Sequence, residues 1–229
     1  MTVAEHVVRL SVSGGQERTF PVACAVMAGW TGRDAVALQT HIRELQEVGV
    51  SPPSSTPIFY RVSANRLTTA LAIEAIGDRT SGEVEFVLIQ SEGRLYVGAG
   101  SDHTDRAVEA YDVAVSKQLC DKPVAPVVWD FTDVAPHWDR LILRAWTWDQ
   151  QQRVLYQEGP VSAMRAPADL IERFAGGNAL PDGTVMFGGT LAARGGIRPS
   201  PRFEFEIEDP VRQRRIRHAY DVVSLPMVA

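Results

Sequence analysis

Apolar residues recur along this 229-residue chain at two different periods, and the period changes several times. A period of two marks a half-buried strand, and one near 3.6 marks a helix. Positions 7–13 alternate and stop at Gly14-Gly15, which predicts a first strand. Positions 22–27 form a second apolar stretch. Over 34–48, Ala37, Leu38, Ile42 and Leu45 recur at three- and four-residue spacing and predict an amphipathic helix. The loop at 51–56 carries Pro52, Pro53 and serines.

Strands dominate after that loop. Position 58–62 is one candidate. Positions 83–90 and 94–99 flank the turn signal Ser91-Glu92-Gly93. The stretch 104–118 reads as one helix with Ala107, Val108, Tyr111 and Val115 on one face. Positions 140–147 and 153–157 form a second hairpin around Asp149-Gln150. A short helix at 169–174 ends before Gly176-Gly177, and 185–187, 203–207 and 219–223 are late strands. The pattern predicts an α+β chain dominated by β-structure. No linker and no internal repeat divides it, so a single domain over 1–229 is expected. Residues 1–28 form either a small N-terminal strand subdomain or added strands, and 34–56 form a helix and loop at its edge.

Composition narrows the class. Apolar residues make up 45% and charged residues 22%, as in a soluble globular protein with a sizeable core. The net charge is −5. The basic run Arg212, Arg214, Arg215, Arg217 lies beside Glu206, Glu208 and Asp209, so it reads as a strand edge or dimer contact rather than a phosphate-binding face. No nucleic-acid partner is expected. No leader pattern and no membrane-length apolar run is present, and a cytoplasmic location is expected. Cys24 and Cys120 fit no paired motif and read as reduced thiols. Nothing activates Cys120 as a nucleophile. Trp129, Trp138, Trp146 and Trp148 read as core or dimer contacts. No serine-hydrolase elbow or dinucleotide loop occurs.

Two constellations carry chemistry. Glu83 and Glu85 are two apart in a predicted strand and share a face, while Val84, Phe86 and Leu88 take the other. With a two-residue turn at Glu92-Gly93, paired positions sum to 185, which sets Asp102 opposite Glu83; a turn one residue longer would move it to the other face. Three converging carboxylates repel unless a cation or protons compensate, and hard oxygen donors favour Mg²⁺ or Mn²⁺ over Zn²⁺. Spacing alone equally describes a solvated polar strand face. His41 and Glu44 are helix neighbours, suited either to a surface ion pair or to a carboxylate-oriented general base. The loop after them suits a closing lid.

In order and spacing, these segments resemble the fumarylacetoacetate hydrolase family from about Gly29 to Gly196. His41-Ile42-Arg43-Glu44 resembles that family's lid motif, and Pro57-Ile58-Phe59-Tyr60-Arg61 the strand after it. Glu83-Val84-Glu85 and Asp102-His103-Thr104-Asp105-Arg106 resemble the metal-binding segments. Ser116-Lys117 before Pro123 and Pro126, Tyr156-Gln157-Glu158-Gly159, and Pro181 to Leu191 continue the match. Departures mark an atypical branch: Arg61 stands for a lysine, Gly188 for a threonine, and Gln118-Leu119-Cys120 for Gly-Phe-Asp. His103 beside Asp102 is open between proton donor, partner to the ligands and core residue.

The resemblance implies a mixed β-roll or barrel and a homodimer. It implies Mg²⁺ or Mn²⁺, with Ca²⁺ also admissible, held by Glu83, Glu85 and Asp102. His41, Glu44 and Lys117 would be catalytic. Arg61, Arg106, Gln157, Gly189 and Thr190 would bind a small carboxylate substrate. The implied reaction passes through a metal-stabilised enolate of a 2-oxo acid, foremost hydrolysis of a carbon–carbon bond in an acylpyruvate. Decarboxylation or dehydration on the same site, and a non-catalytic small-molecule binder, are the alternatives.

Overall fold

In the computed structural model, residues 6–47 and 52–228 are described, without the side chains of residue 41 and residues 44–47. The chain opens with strands β1 (His6–Val12), β2 (Glu17–Val22) and β3 (Cys24–Gly29), then helix α1 (Ala35–Glu47). Next come β4 (Ile58–Val62), β5 (Leu67–Thr68), β6 (Ala72–Ile76) and β7 (Thr80–Ser81). Strands β8 (Val84–Ser91) and β9 (Arg94–Ser101) form the central hairpin. Then follow β10 (Thr104–Asp105), α2 (Arg106–Glu109), α3 (Val113–Leu119), β11 (Lys122–Pro123), β12 (Val127–Asp130) and α4 (Phe131–Val134). The last third contains β13 (Ile142–Asp149), β14 (Gln152–Pro160), α5 (Pro167–Ala175), β15 (Thr184–Phe187), β16 (Arg202–Asp209) and β17 (Arg214–Leu225).

The strands make an eight-stranded mixed sheet in the order β2-β1-β12-β9-β8-β15-β3-β4 and a five-stranded sheet in the order β14-β13-β16-β17-β6. The first is curled, since its two edge strands line one cavity through Pro21 and Val22 on β2 and Arg61 and Val62 on β4. This is the β-dominated α+β architecture expected from the pattern. Residues at the N-terminus join the large sheet, with β1 parallel to β12.

Strand β8 has two faces because successive side chains point to opposite sides. Val84, Phe86 and Leu88 enter the core between the sheets, with Leu143, Phe203 and Phe205. Val87 and Ile89 enter a second core inside the curl, with Met27, Tyr96 and Phe187. Glu83 and Glu85 continue that second face beyond the end of its apolar lining.

Two sequence expectations change. The helix read over 104–118 is two helices, α2 and α3. The Asp105 carboxylate accepts from Ala107 and Val108 N–H, and the Asp112 carboxylate from Val115 N–H, so each caps a separate start. Tyr111 is 89% exposed rather than on a buried face. The stretch at 22–27 divides between β2 and β3, where Ala23 and Cys24 N–H both donate to the Gly183 carbonyl.

Candidate metal centre

The β8–β9 turn has two residues, Glu92 and Gly93, both with positive φ. That is the twist a two-residue hairpin favours. Ser91 pairs with Arg94 and Val84 with Ser101, so Asp102 lies beyond the last pair, opposite Glu83. Asp102 N–H donates to the Glu83 carbonyl at 3.0 Å. Carboxylate oxygens of Glu83, Glu85 and Asp102 all lie within 4.8 Å of one another.

The loop after β15 closes over Glu85. Gly189 N–H donates to Glu85 Oε2 at 2.6 Å. Gly189 has φ +99°, and a Cβ there would stand 1.8 Å from Thr31 Oγ1, so only glycine lets the backbone come this close. Gly188 has a different reason. A Cβ there would lie 2.0 Å from the Phe86 ring, so Phe86 occupies the space of the side chain that the resemblance puts at this position.

Gln157 fastens the same region. Its Oε1 accepts from Val84 N–H at 2.9 Å, and its Nε2 donates to Thr190 Oγ1 at 2.8 Å and to the Leu191 carbonyl at 2.5 Å. Thr190 in turn donates to the Val84 carbonyl at 2.8 Å. Gln157 and Thr190 therefore clamp the strand between Glu83 and Glu85 to the Gly189 loop.

Cations surround the acids. Lys117, at the end of α3, binds Asp102 Oδ2, and its Nζ is 5.7 Å from the Tyr60 ring centroid. Arg106 reaches Glu83 Oε2 at 3.3 Å, Glu109 at 2.7 Å and Ser81 Oγ at 2.7 Å. Lys122 was not singled out in the sequence. Its side chain is wholly buried and its Nζ lies 3.2 Å from Asp102 Oδ1. A lysine is usually exposed, and nothing in Asp121-Lys122-Pro123 marks this one as different.

Burial pushes the Glu85 carboxyl well above its usual pKa, and neighbouring Asp102 adds to this. Burial also raises Glu83, against Arg106 and Lys117. For Asp102 burial acts upward too, but Lys117 and Lys122 outweigh it and hold the group ionised far below the usual range. Burial would discharge Lys117, yet Asp102 and then Glu83 keep it charged. The donor set fits a hard divalent cation: convergent carboxylate oxygens, one of them in Glu85 made costly to ionise without a countercharge.

Below the cluster is a buried polar network. His103 Nδ1 lies 2.8 Å from Tyr220 Oη, and its Nε2 lies 2.8 Å from Thr80 Oγ1. Tyr220 Oη is also 2.8 Å from Ser101 Oγ. Burial, then Lys122 and Arg106, lower the His103 pKa to about 3. His103 is thus a neutral, doubly bonded residue behind Asp102.

The remaining positions are elsewhere. Arg61 and Tyr60 are consecutive on β4 and point to opposite faces. Arg61 lines a cavity of about 1070 Å³ with His6, Asn65, Glu92 and Asp182, at the far end of β8 from the carboxylates. Residues 41 and 44 lie on α1, capped by the Asp34 carboxylate, which accepts from Val36 and Ala37 N–H. The side chains of His41 and Glu44 lie outside the described residues. Cys24 and Cys120 are free thiols, and burial raises Cys120 to about 11, away from nucleophilic use.

Comparison with known proteins decides the family. Residues 28–220 match the profile of a family described as protein of unknown function (DUF2848). The chain belongs to the DUF2848 family. No curated protein matches this DUF2848 chain. Solved structures share its fold. A candidate fumarylpyruvate hydrolase from Burkholderia cenocepacia superposes with TM-score 0.64 at 17% identity, covering 98% of each chain. A 2-keto-3-deoxy-D-arabinonate dehydratase complexed with magnesium and 2,5-dioxopentanoate gives 0.65 at 17% identity, covering 92% of this chain and 77% of that one. Fumarylacetoacetate hydrolase from Exiguobacterium antarcticum gives 0.63 at 15% identity, covering 93% and 80%. The DUF2848 chain therefore has the fumarylacetoacetate-hydrolase-like fold. Among its described residues no helix is long and apolar enough to cross a membrane.

Proposed function

We propose that this chain is a divalent-cation-dependent enzyme that acts on a small 2-oxo acid, foremost by hydrolysing a carbon–carbon bond in an acylpyruvate-like substrate. The observation that carries the reading is the convergence of Glu83, Glu85 and Asp102 within 4.8 Å, beside the ammonium of Lys117. The shared fold adds support, because proteins with that fold include hydrolases and a magnesium-bound dehydratase of oxo acids. Glu83, Glu85 and Asp102 would hold Mg²⁺ or Mn²⁺, which supplies Lewis-acid polarisation of a carbonyl oxygen when bound.

The chain's own residues have separable tasks. Lys117 sets a positive charge where negative charge develops on a substrate oxygen. Arg106 neutralises Glu83 and fixes it against Ser81. Gln157, Gly189 and Thr190 hold β8 and the loop in register, so that Glu85 is aimed before substrate arrives. His41, oriented by Glu44, would take a proton from water when α1 closes over the site and excludes solvent. Decarboxylation or dehydration would use the same head-group contacts and differ in what leaves.

Calorimetric titration of oxalate, a planar mimic of a 2-oxo acid enolate, tests the reading. Binding should require Mg²⁺ or Mn²⁺ and disappear in Glu85→Ala. A folded protein that binds no oxalate with either ion would sink the proposal. Where oxalate binds, product analysis on acylpyruvates, oxaloacetate and 3-deoxy-2-oxo sugar acids separates hydrolase from lyase. Binding without turnover of any would favour a non-catalytic binder.

A further inference from the structure

Asp102 meets two ammonium groups, Lys117 at Oδ2 and Lys122 at Oδ1. The two lysines are not equivalent. Lys122 has no exposed side-chain surface, its Nζ also donates to the His103 carbonyl at 2.5 Å, and its backbone is held by the β11–β5 pairing. Thr104 Oγ1 shares Asp102 Oδ1 at 3.3 Å. Lys117 stands at the rim, 8% exposed, with the Tyr60 ring beside it. A cation entering among the carboxylates needs an oxygen of Asp102. Oδ1 already has two donors fixed in the interior. Oδ2 has one, and that donor belongs to a side chain that reaches the surface, where Lys122 does not.

We infer that Lys122 is the positioning residue of the cluster: it holds Asp102 by Oδ1, aimed at Glu83 and Glu85, and would leave Oδ2, now held by Lys117, for a cation. The inference rests on the proposed reading of these carboxylates as a cation site. Lys117 would then be free to meet substrate, while Lys122 stays on Asp102. The two roles predict opposite signs. Both lysines are positive charges close to the cation, so charge alone makes removal of either one tighten binding. Loss of a partner that orients a ligand acts the other way and typically costs about 10- to 100-fold in metal affinity.

The test is calorimetric titration of Mn²⁺ into the full chain at neutral pH, for wild type, Lys117→Met and Lys122→Met. The expected result is tighter binding in Lys117→Met and binding weaker by about tenfold or more in Lys122→Met. Lys122→Gln keeps a shorter donor and should fall between wild type and Lys122→Met; it replaces the methionine variant if circular dichroism shows that one unfolded. Equal or tighter Mn²⁺ binding without the Lys122 ammonium overturns the positioning role and leaves the cation site standing. Weaker binding in Lys117→Met overturns its displacement. A folded wild type that binds no Mn²⁺ removes the cation site itself, and this inference with it.

Discussion

Two strands of this molecule carry glutamates at alternate positions, and they use them in opposite ways. On β16, Glu204, Glu206 and Glu208 share the face that looks away from the core, since Phe203, Phe205 and Ile207 point inward. Each meets a guanidinium, and Arg144 serves two of them. Glu204 binds Arg153 at 2.8 Å and Arg217, Glu206 binds Arg144 at 3.1 Å, and Glu208 binds Arg144 and lies 3.7 Å from Arg215. At the start of β8, Glu83 and Glu85 converge with Asp102 on one point, and the cations stand behind or beside them. The alternating pattern is common to both. What differs is the geometry of neutralisation: flat guanidinium forks interleave with carboxylates across the face of a sheet, whereas buried ammonium groups below a strand end leave oxygens facing each other. Of the basic run read from the sequence as a strand edge or dimer contact, Arg215 and Arg217 belong to the first arrangement, while Arg212 and Arg214 bind Asp133 and Asp209.

The strongest way to break this contrast is to neutralise one acid in each place. Glu85→Gln should weaken Mn²⁺ binding by at least about 100-fold while the fold persists, because a ligand oxygen and its charge are both lost. Glu206→Gln should leave Mn²⁺ binding unchanged and cost about 1 kcal/mol of stability, since Arg144 keeps Glu158 and Glu208. Mn²⁺ titration and urea denaturation of both variants decide the matter. Equal loss of Mn²⁺ binding in the two would show that the cation responds to overall acidity and not to the cluster.

The pH dependence of stability should sharpen the contrast by a smaller amount. In the cation-free protein the Glu85 carboxyl is raised by burial and by Asp102. A group with a raised folded-state pKa gives stability that is fully present below its unfolded value and is lost as pH rises through the folded one. Asp102, held low by Lys117 and Lys122 against burial, acts oppositely: its contribution is present above the unfolded value and is lost in acid. Mg²⁺ binds the ionised acids, so its stabilising effect should grow from mildly acidic to mildly alkaline pH. Thermal melts with and without Mg²⁺ should show this growth in wild type and in Glu206→Gln, but not in Glu85→Gln. A Tm increment independent of pH would argue that Glu85 is ionised throughout.

How much of this was legible depends on the range of the interaction. The register of β8 against β9 follows from a local turn, and a local turn can be read: once Glu92-Gly93 is the loop, Asp102 must stand opposite Glu83. The period-two strands at β4 and β16 were likewise visible. The break between α2 and α3 was not, because Asp105 and Asp112 look like any polar helix residues until their carboxylates turn back to cap. Lys122 was illegible for a different reason. Its burial is set by Asp102 and the His103 carbonyl, about twenty residues earlier, and by pairing with β5, over fifty residues earlier. Gly188 could be read as a departure, but the cause, Phe86 filling the space, lies on another strand.

The smallest expected effect belongs to the glutamate face of β16 and its aromatic support. The Arg153 guanidinium is 3.7 Å from the centroid of the Trp146 ring, and that of Arg217 is 5.5 Å away. Both arginines also bind Glu204. The indole holds the two forks in place, so Trp146→Leu should cost about 0.5–1 kcal/mol for the lost cation–π contacts, in addition to a small loss of packing. Denaturation in high salt tests the origin of that cost. Salt screens exposed ion pairs but leaves a stacked face largely intact. The Trp146→Leu deficit should therefore persist when salt is raised. If it shrinks, the ring contributes only by helping the ion pairs of Arg153 and Arg217 with Glu204. Mn²⁺ binding should not move in Trp146→Leu, since nothing in this arrangement touches the cluster at the head of β8.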